Sequence, residues 1–133
     1  MTPKTTERFV IDGPSGALEV AINAPPDVSR GIALVAHPHP QQGGTLDNKV
    51  VQTLAKTFFA LGYVSVRFNF RGVGLSTGAH DEGRGEKDDI RTALDYLTEN
   101  YPNREITFAG FSFGSRFGTE TVLDDERVPR IIS

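Results

Sequence analysis

Short, wholly apolar segments alternate along this chain with amphipathic ones, and that alternation constrains the fold more than any other feature. Residues 8–22 have the composition of a β-hairpin with a turn at its centre. Residues 31–36 are apolar on both faces, as a buried parallel strand is. Residues 63–70 and 105–109 are predicted as further strands, and residues 130–133 resemble the start of another.

Between the strands, apolar residues recur at helical spacing. Residues 46–61 and 86–100 are predicted as amphipathic helices, and a third helix is expected to begin at Ser112. The predicted apolar stripe of the first helix contains Leu46, Val50, Leu54 and Phe58, and it is widened by Val51, Ala55 and Leu61. Strands that alternate with helices predict the α/β class: three layers, with a mostly parallel sheet between helices. Ligands of such sheets bind at the carboxyl ends of the strands.

Composition excludes several classes of function. The 133 residues fit one domain, residues 1–133, and the 14 Lys and Arg against 17 Asp and Glu leave a net charge of −3. No broad basic surface for nucleic acid is therefore expected. The apolar segments are far shorter than a membrane span, residues 1–8 lack the apolar core of a signal peptide, and the chain has no cysteine. We expect a soluble cytoplasmic domain that needs no cofactor and contacts neither nucleic acid nor membrane.

The segment Gly110-Phe111-Ser112-Phe113-Gly114 is the strongest candidate for chemistry. It falls between a predicted strand and a predicted helix, the context in which a G-x-S-x-G sequence forms a nucleophile elbow. Such a turn holds the serine in a strained conformation with its hydroxyl above the sheet edge. The helix N-terminus behind it offers N–H groups to a developing oxyanion. The alternative is a serine helix cap between two packing glycines.

The loop over residues 37–44 is the candidate for the rest of the oxyanion hole. In an elbow enzyme one donor is the N–H of the residue after the nucleophile, here Phe113, and the other comes from this loop. The two prolines of the loop have no N–H, so His39 is the nearest donor and Gln41 the second. The His-x-His pair could instead chelate a metal, or the prolines could stiffen a structural loop. Because His80 is the only other histidine, we predict no metal site.

A glycine-rich loop, predicted over residues 71–85, follows the fourth strand, and the overlapping segment 69–78 is a candidate nucleotide site. Its glycines do not fit the G-x-G-x-x-G pattern of dinucleotide sites, because position 77 is Thr. We expect a tight loop with positive φ at its glycines. Arg67 and Asn69 are predicted to be buried and to tether the elbow or the loop. The acids expected to be solvated or to cap the next helix are Asp81, Glu86 and Asp89.

These motifs together resemble the α/β-hydrolase fold family, and more narrowly the small bacterial hydrolases related to the dienelactone-hydrolase and serine-aminopeptidase-like groups. The motifs that carry the resemblance are His37-Pro38-His39-Pro40 with Gly43-Gly44, Asp47 to Val51, Arg67 to Ser76, Gly83 with Glu86, and Gly110 to Gly114. The resemblance covers residues 9–133. It implies Ser112 as the catalytic nucleophile, Phe113 and His39 as oxyanion donors, and a small carboxylic ester or amide as substrate.

The chain departs from the family pattern at the triad, which runs Ser, then Asp or Glu, then His. The residues after Ser112, 113–133, contain no histidine. We therefore expect the N-terminal portion of a hydrolase fold, incomplete at the C-terminus, in which Ser112 lacks its usual base. An alternative base is His39 or His80, since both lie on loops at the edge where Ser112 is expected. The other alternative is a non-catalytic fragment or binding module, completed by a partner chain or by a second copy in a homodimer.

Overall fold

The computed structural model describes residues 6–26 and 30–132, and six strands within these ranges form one sheet. The strands are β1 (Glu7–Gly13), β2 (Gly16–Asn23), β3 (Ile32–Ala36), β4 (Val64–Phe68), β5 (Ile106–Gly110) and β6 (Arg130–Ile132). Their spatial order is β1-β2-β4-β3-β5-β6. The β1–β2 hairpin joins β4 in antiparallel pairing, whereas β4, β3, β5 and β6 run parallel.

Helices cover both faces of this sheet. They are α1 (Lys49–Ala60), α2 (Arg84–Asn100) and α3 (Phe113–Val122), and a single 3-10 turn spans Pro40–Gln42. Helix α1 packs on one face, against Ala33, Val35 and Ala109, while α2 and α3 pack on the other, where the larger core lies. The predicted α/β class and the predicted order of elements are confirmed. No helix in the described ranges is long and apolar enough to span a membrane.

The strand register brings three loops to one edge of the sheet. Ala36 pairs with Gly110 at the carboxyl ends of β3 and β5, and Val35 pairs with Arg67 near the end of β4. The loops that leave these strands therefore start side by side. Each carries one of the segments that the sequence singles out.

Helix α1 begins later than the sequence pattern predicts. Leu46 is buried, but it lies in the loop before the helix. The side-chain oxygen of Asn48 accepts the N–H groups of Val50 and Val51, at 2.9 and 3.2 Å, and so caps the first turn. The predicted places of Val50 and Leu61 on the apolar stripe are wrong, since they are 42% and 56% exposed, whereas Val51 faces the core as predicted.

The acids near the start of α2 differ in their roles. Asp81 and Glu86 accept N–H groups at the helix N-terminus, those of Gly85 and Gly83, at 3.0 Å each, as predicted for capping acids. The same prediction for Asp89 is wrong. Its fully buried carboxylate accepts both the backbone N–H and the guanidinium of Arg71, at 2.9 and 3.0 Å. Burial raises the pKa of Asp89, and the bonds from Arg71 offset part of that rise.

Candidate active site

Ser112 lies at a sharp turn between β5 and α3. Its φ of 59° and ψ of −116° fall in a region that residues with a side chain rarely adopt. Glycines make the turn possible: a Cβ at Gly110 would come within 2.6 Å of the Ser115 backbone, and one at Gly114 within 2.6 Å of the Ala36 carbonyl oxygen. The predicted turn is present, while the role of Ser112 as a nucleophile stays a prediction.

Two backbone donors near Ser112 have no acceptor. Neither the N–H of Phe113, at the first position of α3, nor that of His39 donates to any atom within residues 6–26 and 30–132. The N–H of Gln41, the predicted second choice, donates to Nδ1 of His39 at 3.1 Å. Both of these unpaired donors, at Phe113 and His39, are ones that the sequence predicts for an oxyanion hole.

His37 is fully buried, and both of its ring nitrogens are engaged. Nε2 accepts the backbone N–H of Phe70 at 3.0 Å, so Nδ1 carries the proton and donates to the Pro38 carbonyl at 2.7 Å. Burial lowers the pKa of His37 to about 4, against a smaller opposing effect of the Pro38 bond. The alternative of a His-x-His metal pair therefore loses one of its ligands, because both ring nitrogens of His37 are bonded to backbone groups of the loops that follow β4 and β3.

Ser112 opens onto a cleft of about 640 Å³. The cleft is lined by His39, Gln42, His80, Glu82, Ser112, Phe113, Arg116 and Phe117. The ring centroid of His39 lies 5.0 Å from those of both His80 and Phe113. Aromatic rings from two loops and from α3 thus form one wall of the cleft. The structure thus brings together all three predicted site residues. Sequence reasoning missed Arg116 and Phe117, although the helical spacing of Phe113 and Phe117 could have indicated the latter.

Buried polar side chains fix the loop that carries His39. Asn69 accepts the N–H of Leu46 at 2.8 Å, and Arg67 donates to the carbonyl of the same residue at 2.9 Å. The other end of Asn69 donates to Glu19 on β2 at 2.8 Å. The side chains of Arg67 and Asn69 therefore tether the loop between β3 and α1, which is neither of the two predicted targets, the turn at Ser112 and the glycine-rich loop.

The carboxylate of Glu19 completes this network. Burial by itself raises the pKa of Glu19, but hydrogen bonds from the Leu75 N–H, Asn69 and Arg8 outweigh it and lower the pKa overall. Gly74, with φ of 55°, passes so close that a Cβ would lie 2.5 Å from both Glu19 and Asn69. The predicted positive φ of the loop glycines is confirmed here.

The fold and the serine turn define a three-layer α/β protein with its cleft at the carboxyl edge of the sheet. The chain belongs to the alpha/beta hydrolase fold family, whose family model matches residues 35–133. The family resemblance of the sequence motifs is confirmed.

Two solved structures are similar to this chain. One is an alpha-beta serine hydrolase homologue from Coxiella burnetii, at 44% identity and a TM-score of 0.86, covering 90% of this chain and 58% of that one. The other is a serine hydrolase without lid from Xanthomonas campestris, at 40% identity and a TM-score of 0.84, covering 91% and 57%. An uncharacterized protein of Rickettsia prowazekii (strain Madrid E) is 42% identical over 117 residues, 87% of this chain and 49% of that protein. The chain thus spans about half the length of these relatives.

Proposed function

We propose that this chain carries the nucleophile and oxyanion hole of a serine hydrolase that cleaves a small carboxylic ester or amide. The observation that carries the proposal is the placement of Ser112. It lies on a positive-φ turn that opens onto the cleft, beside the unpaired N–H groups of Phe113 and His39.

The chemistry follows from this arrangement. The Ser112 hydroxyl attacks the carbonyl carbon, and the negative charge that develops on the carbonyl oxygen is met by the two N–H groups and the N-terminus of α3. Loss of the leaving group gives an acyl-enzyme on Ser112, which water then hydrolyses. One oxyanion donor of this kind contributes about 10²–10³-fold to the rate.

The relatives support the same class of reaction. The Coxiella structure, at 44% identity, is that of a serine hydrolase homologue, and the Xanthomonas structure, at 40%, is that of a serine hydrolase without lid. They are longer than this chain, and the activity and substrate proposed here refer to the site that the chain itself carries.

Covalent labelling tests the nucleophile directly. A fluorophosphonate probe is incubated with the chain, with and without free imidazole as an external base, and the labelled residue is identified by mass spectrometry. We expect a single adduct on Ser112, none in Ser112→Ala, and full labelling in the matched control Ser115→Ala, whose serine lies in the first turn of α3. Labelling elsewhere, or none in either condition, would contradict the proposal.

The open edge of the sheet favours a second candidate, a module that a partner chain or a second copy completes. Within the described ranges β6 pairs only with β5, and Ile132 and Leu123 are 47% and 66% exposed. Unpaired edges and exposed apolar groups attract further strands. Sedimentation velocity distinguishes the two: a homodimer or larger assembly is expected for such a module, and a monomer at micromolar concentration would contradict it.

A further inference from the structure

A cavity between α1 and the sheet lies apart from the Ser112 cleft. Its volume is about 310 Å³, within the range of pockets that hold small molecules, and among the described residues it shares no lining residue with the cleft. Strand β4 contributes Arg67 to it. We propose that this cavity binds a small amphipathic carboxylate, with the carboxylate on Arg67 and the apolar chain along α1. The proposal goes beyond the proposed function and does not depend on it.

The guanidinium of Arg67 is buried but only partly bonded. Its side chain is 9% exposed, and Nη1 donates to the carbonyl of Leu46 at 2.9 Å. Nε is buried with no hydrogen-bond partner among the described residues, and Nη2 makes no hydrogen bond to them either. Nε and Nη2 lie on one edge of the guanidinium plane, the edge that matches the two oxygens of a carboxylate. The tether to Leu46 thus leaves this edge for a ligand.

The protein neutralises the charge of Arg67 incompletely. Among the described residues the guanidinium forms an ion pair only with Asp47, which lies 3.6 Å from Nη1. The Asp47 carboxylate is 51% exposed and binds Arg8 more closely, at 3.1 Å. Burial lowers the pKa of Arg67, Asp47 opposes this effect, and the positive charge of Arg8 adds to it. Because buried charges in proteins are normally paired, an anion in the cavity would stabilise this one.

The charges around the cavity also favour an anion. None of the described lining residues is acidic. Lys56 adds a second cation at the rim, where it is exposed and forms no ion pair with a described residue. Thr6 and Asn23, at the hairpin side, are hydrogen-bonded to each other at 2.9 Å and carry no charge. The cavity therefore combines one buried and one exposed cation.

One face of α1 supplies an apolar wall. Its lining residues recur at helical spacing and so lie on the same face: Gln52, Ala55, Lys56 and Phe59. Ala55 is buried and Phe59 is half-buried. The methylene groups of Lys56 extend this surface towards the rim, while its ammonium group stays in water. An alkyl chain attached to the carboxylate would bury its methylenes against this wall.

Titration calorimetry on the whole chain tests the class of ligand. Sodium octanoate has the carboxylate and the chain, octylammonium chloride has the same chain with the opposite charge, and sodium acetate has the carboxylate alone. We expect saturable binding of octanoate and none of octylammonium. Acetate should bind at least about 10-fold more weakly than octanoate, since each buried methylene strengthens binding about 4-fold.

Substitutions locate the site. Lys56→Glu reverses the rim charge, and its matched control Lys49→Glu makes the same change two helical turns earlier on α1. Arg67→Lys keeps the charge but removes the paired donors. Arg116→Gln removes a cation from the Ser112 cleft instead. Heteronuclear NMR follows the Nε–H signal of Arg67 as octanoate is added.

We expect Lys56→Glu to weaken octanoate binding about 5-fold and Arg67→Lys to weaken it about 10-fold or more. Lys49→Glu and Arg116→Gln should bind octanoate like the unchanged chain, and octanoate should shift the Nε–H signal of Arg67. Circular dichroism checks that each variant is folded. Should Arg67→Lys fail to fold, the two lysine variants and the Arg67 signal decide.

Several results would overturn the site. Octylammonium that binds as well as octanoate would exclude a role of the cations, and acetate that binds as well would exclude a role of the apolar wall. An equal loss in both lysine variants, a loss in Arg116→Gln, or an Arg67 signal that does not shift would place octanoate elsewhere. Absence of saturation at millimolar octanoate would also contradict the proposal. Ser112→Ala should bind octanoate normally, so the failure of this inference and that of the proposed nucleophile are separate outcomes.

Discussion

The imidazole Nε2 of His37 accepts the backbone N–H of Phe70 at 3.0 Å and so joins the end of β3 to the end of β4. The bond requires a neutral ring, because protonated Nε2 is a donor and would face another donor. Burial of the ring separately lowers the pKa of His37 to about 4. The loop that carries His39 is therefore held in place by a histidine that must stay uncharged.

Stability should consequently fall as the pH drops through the range between the folded and unfolded pKa values of His37. The folded pKa is about 4 and the unfolded value is 6.5, so the unfolded chain binds the extra proton first. The contribution of neutral His37 to the free energy of unfolding is fully present above about pH 6.5. It falls by about 3 kcal/mol as the pH drops towards 4. Urea denaturation at several pH values measures it.

His37→Gln is the control for that prediction, since its amide oxygen can accept the same N–H but does not titrate. Acids such as Asp89, whose pKa is raised by burial, titrate in both proteins and cancel in the comparison. A pH dependence of stability that is the same in both proteins would show that His37 is not its source.

Replacing Ser112 by glycine should stabilise the chain while removing the proposed nucleophile. A non-glycine residue in a strained conformation costs about 1–3 kcal/mol, and glycine adopts φ of 59° without that cost. Glycine also has more conformational entropy in the unfolded chain, which offsets part of this gain. We therefore expect Ser112→Gly to raise the free energy of unfolding by about 1 kcal/mol, measured by thermal or urea unfolding. Ser112→Ala keeps the Cβ and should have unchanged stability, so equal stabilities of the two variants would contradict strain at this position.

Gly114 should not tolerate a side chain. A Cβ there would lie 2.6 Å from the carbonyl oxygens of Ala36 and His37, atoms of a buried strand end that cannot move aside. We expect Gly114→Ala to lower the free energy of unfolding by about 2 kcal/mol or more, measured in urea. Gly43→Ala is the comparison. Gly43 has φ of 82°, but a Cβ there would meet no atom within 4 Å, so the free energy of unfolding should fall by only about 1 kcal/mol. A larger loss at Gly43 would show that backbone conformation, not the close approach, dominates.

An acid at position 69 should conflict with Glu19. Asn69→Asp keeps the shape but replaces the donor that lies 2.8 Å from the Glu19 carboxylate with a second negative charge. We expect a loss on the order of 2 kcal/mol at neutral pH, which shrinks towards about pH 5 as the two carboxyl groups come to share a proton. Chemical denaturation at both pH values measures this. Asn69→Ala also loses the bonds but should show no such recovery, and recovery in both variants would refute the charge argument.

The sequence alone determined the order of elements and the turn at Ser112. The hairpin, the amphipathic helices and the glycines around Ser112 are encoded over a few neighbouring residues, because periodicity and positive φ are local properties. The predicted start of α1 is nevertheless wrong. Leu46 is apolar and at helical spacing, but it is buried in a loop whose backbone is hydrogen-bonded to Arg67 and Asn69.

Only the tertiary structure decided which polar groups meet. Asp89 accepts hydrogen bonds from Arg71, 18 positions earlier in the chain. His37 accepts the N–H of Phe70, 33 positions later, and Glu19 accepts a bond from Asn69, 50 positions later. Sheet register and helix packing set these pairs, and no local pattern reports them. The same holds for the cleft, where His39, His80 and Ser112 come from three loops that are neighbours only because β3, β4 and β5 end at one edge.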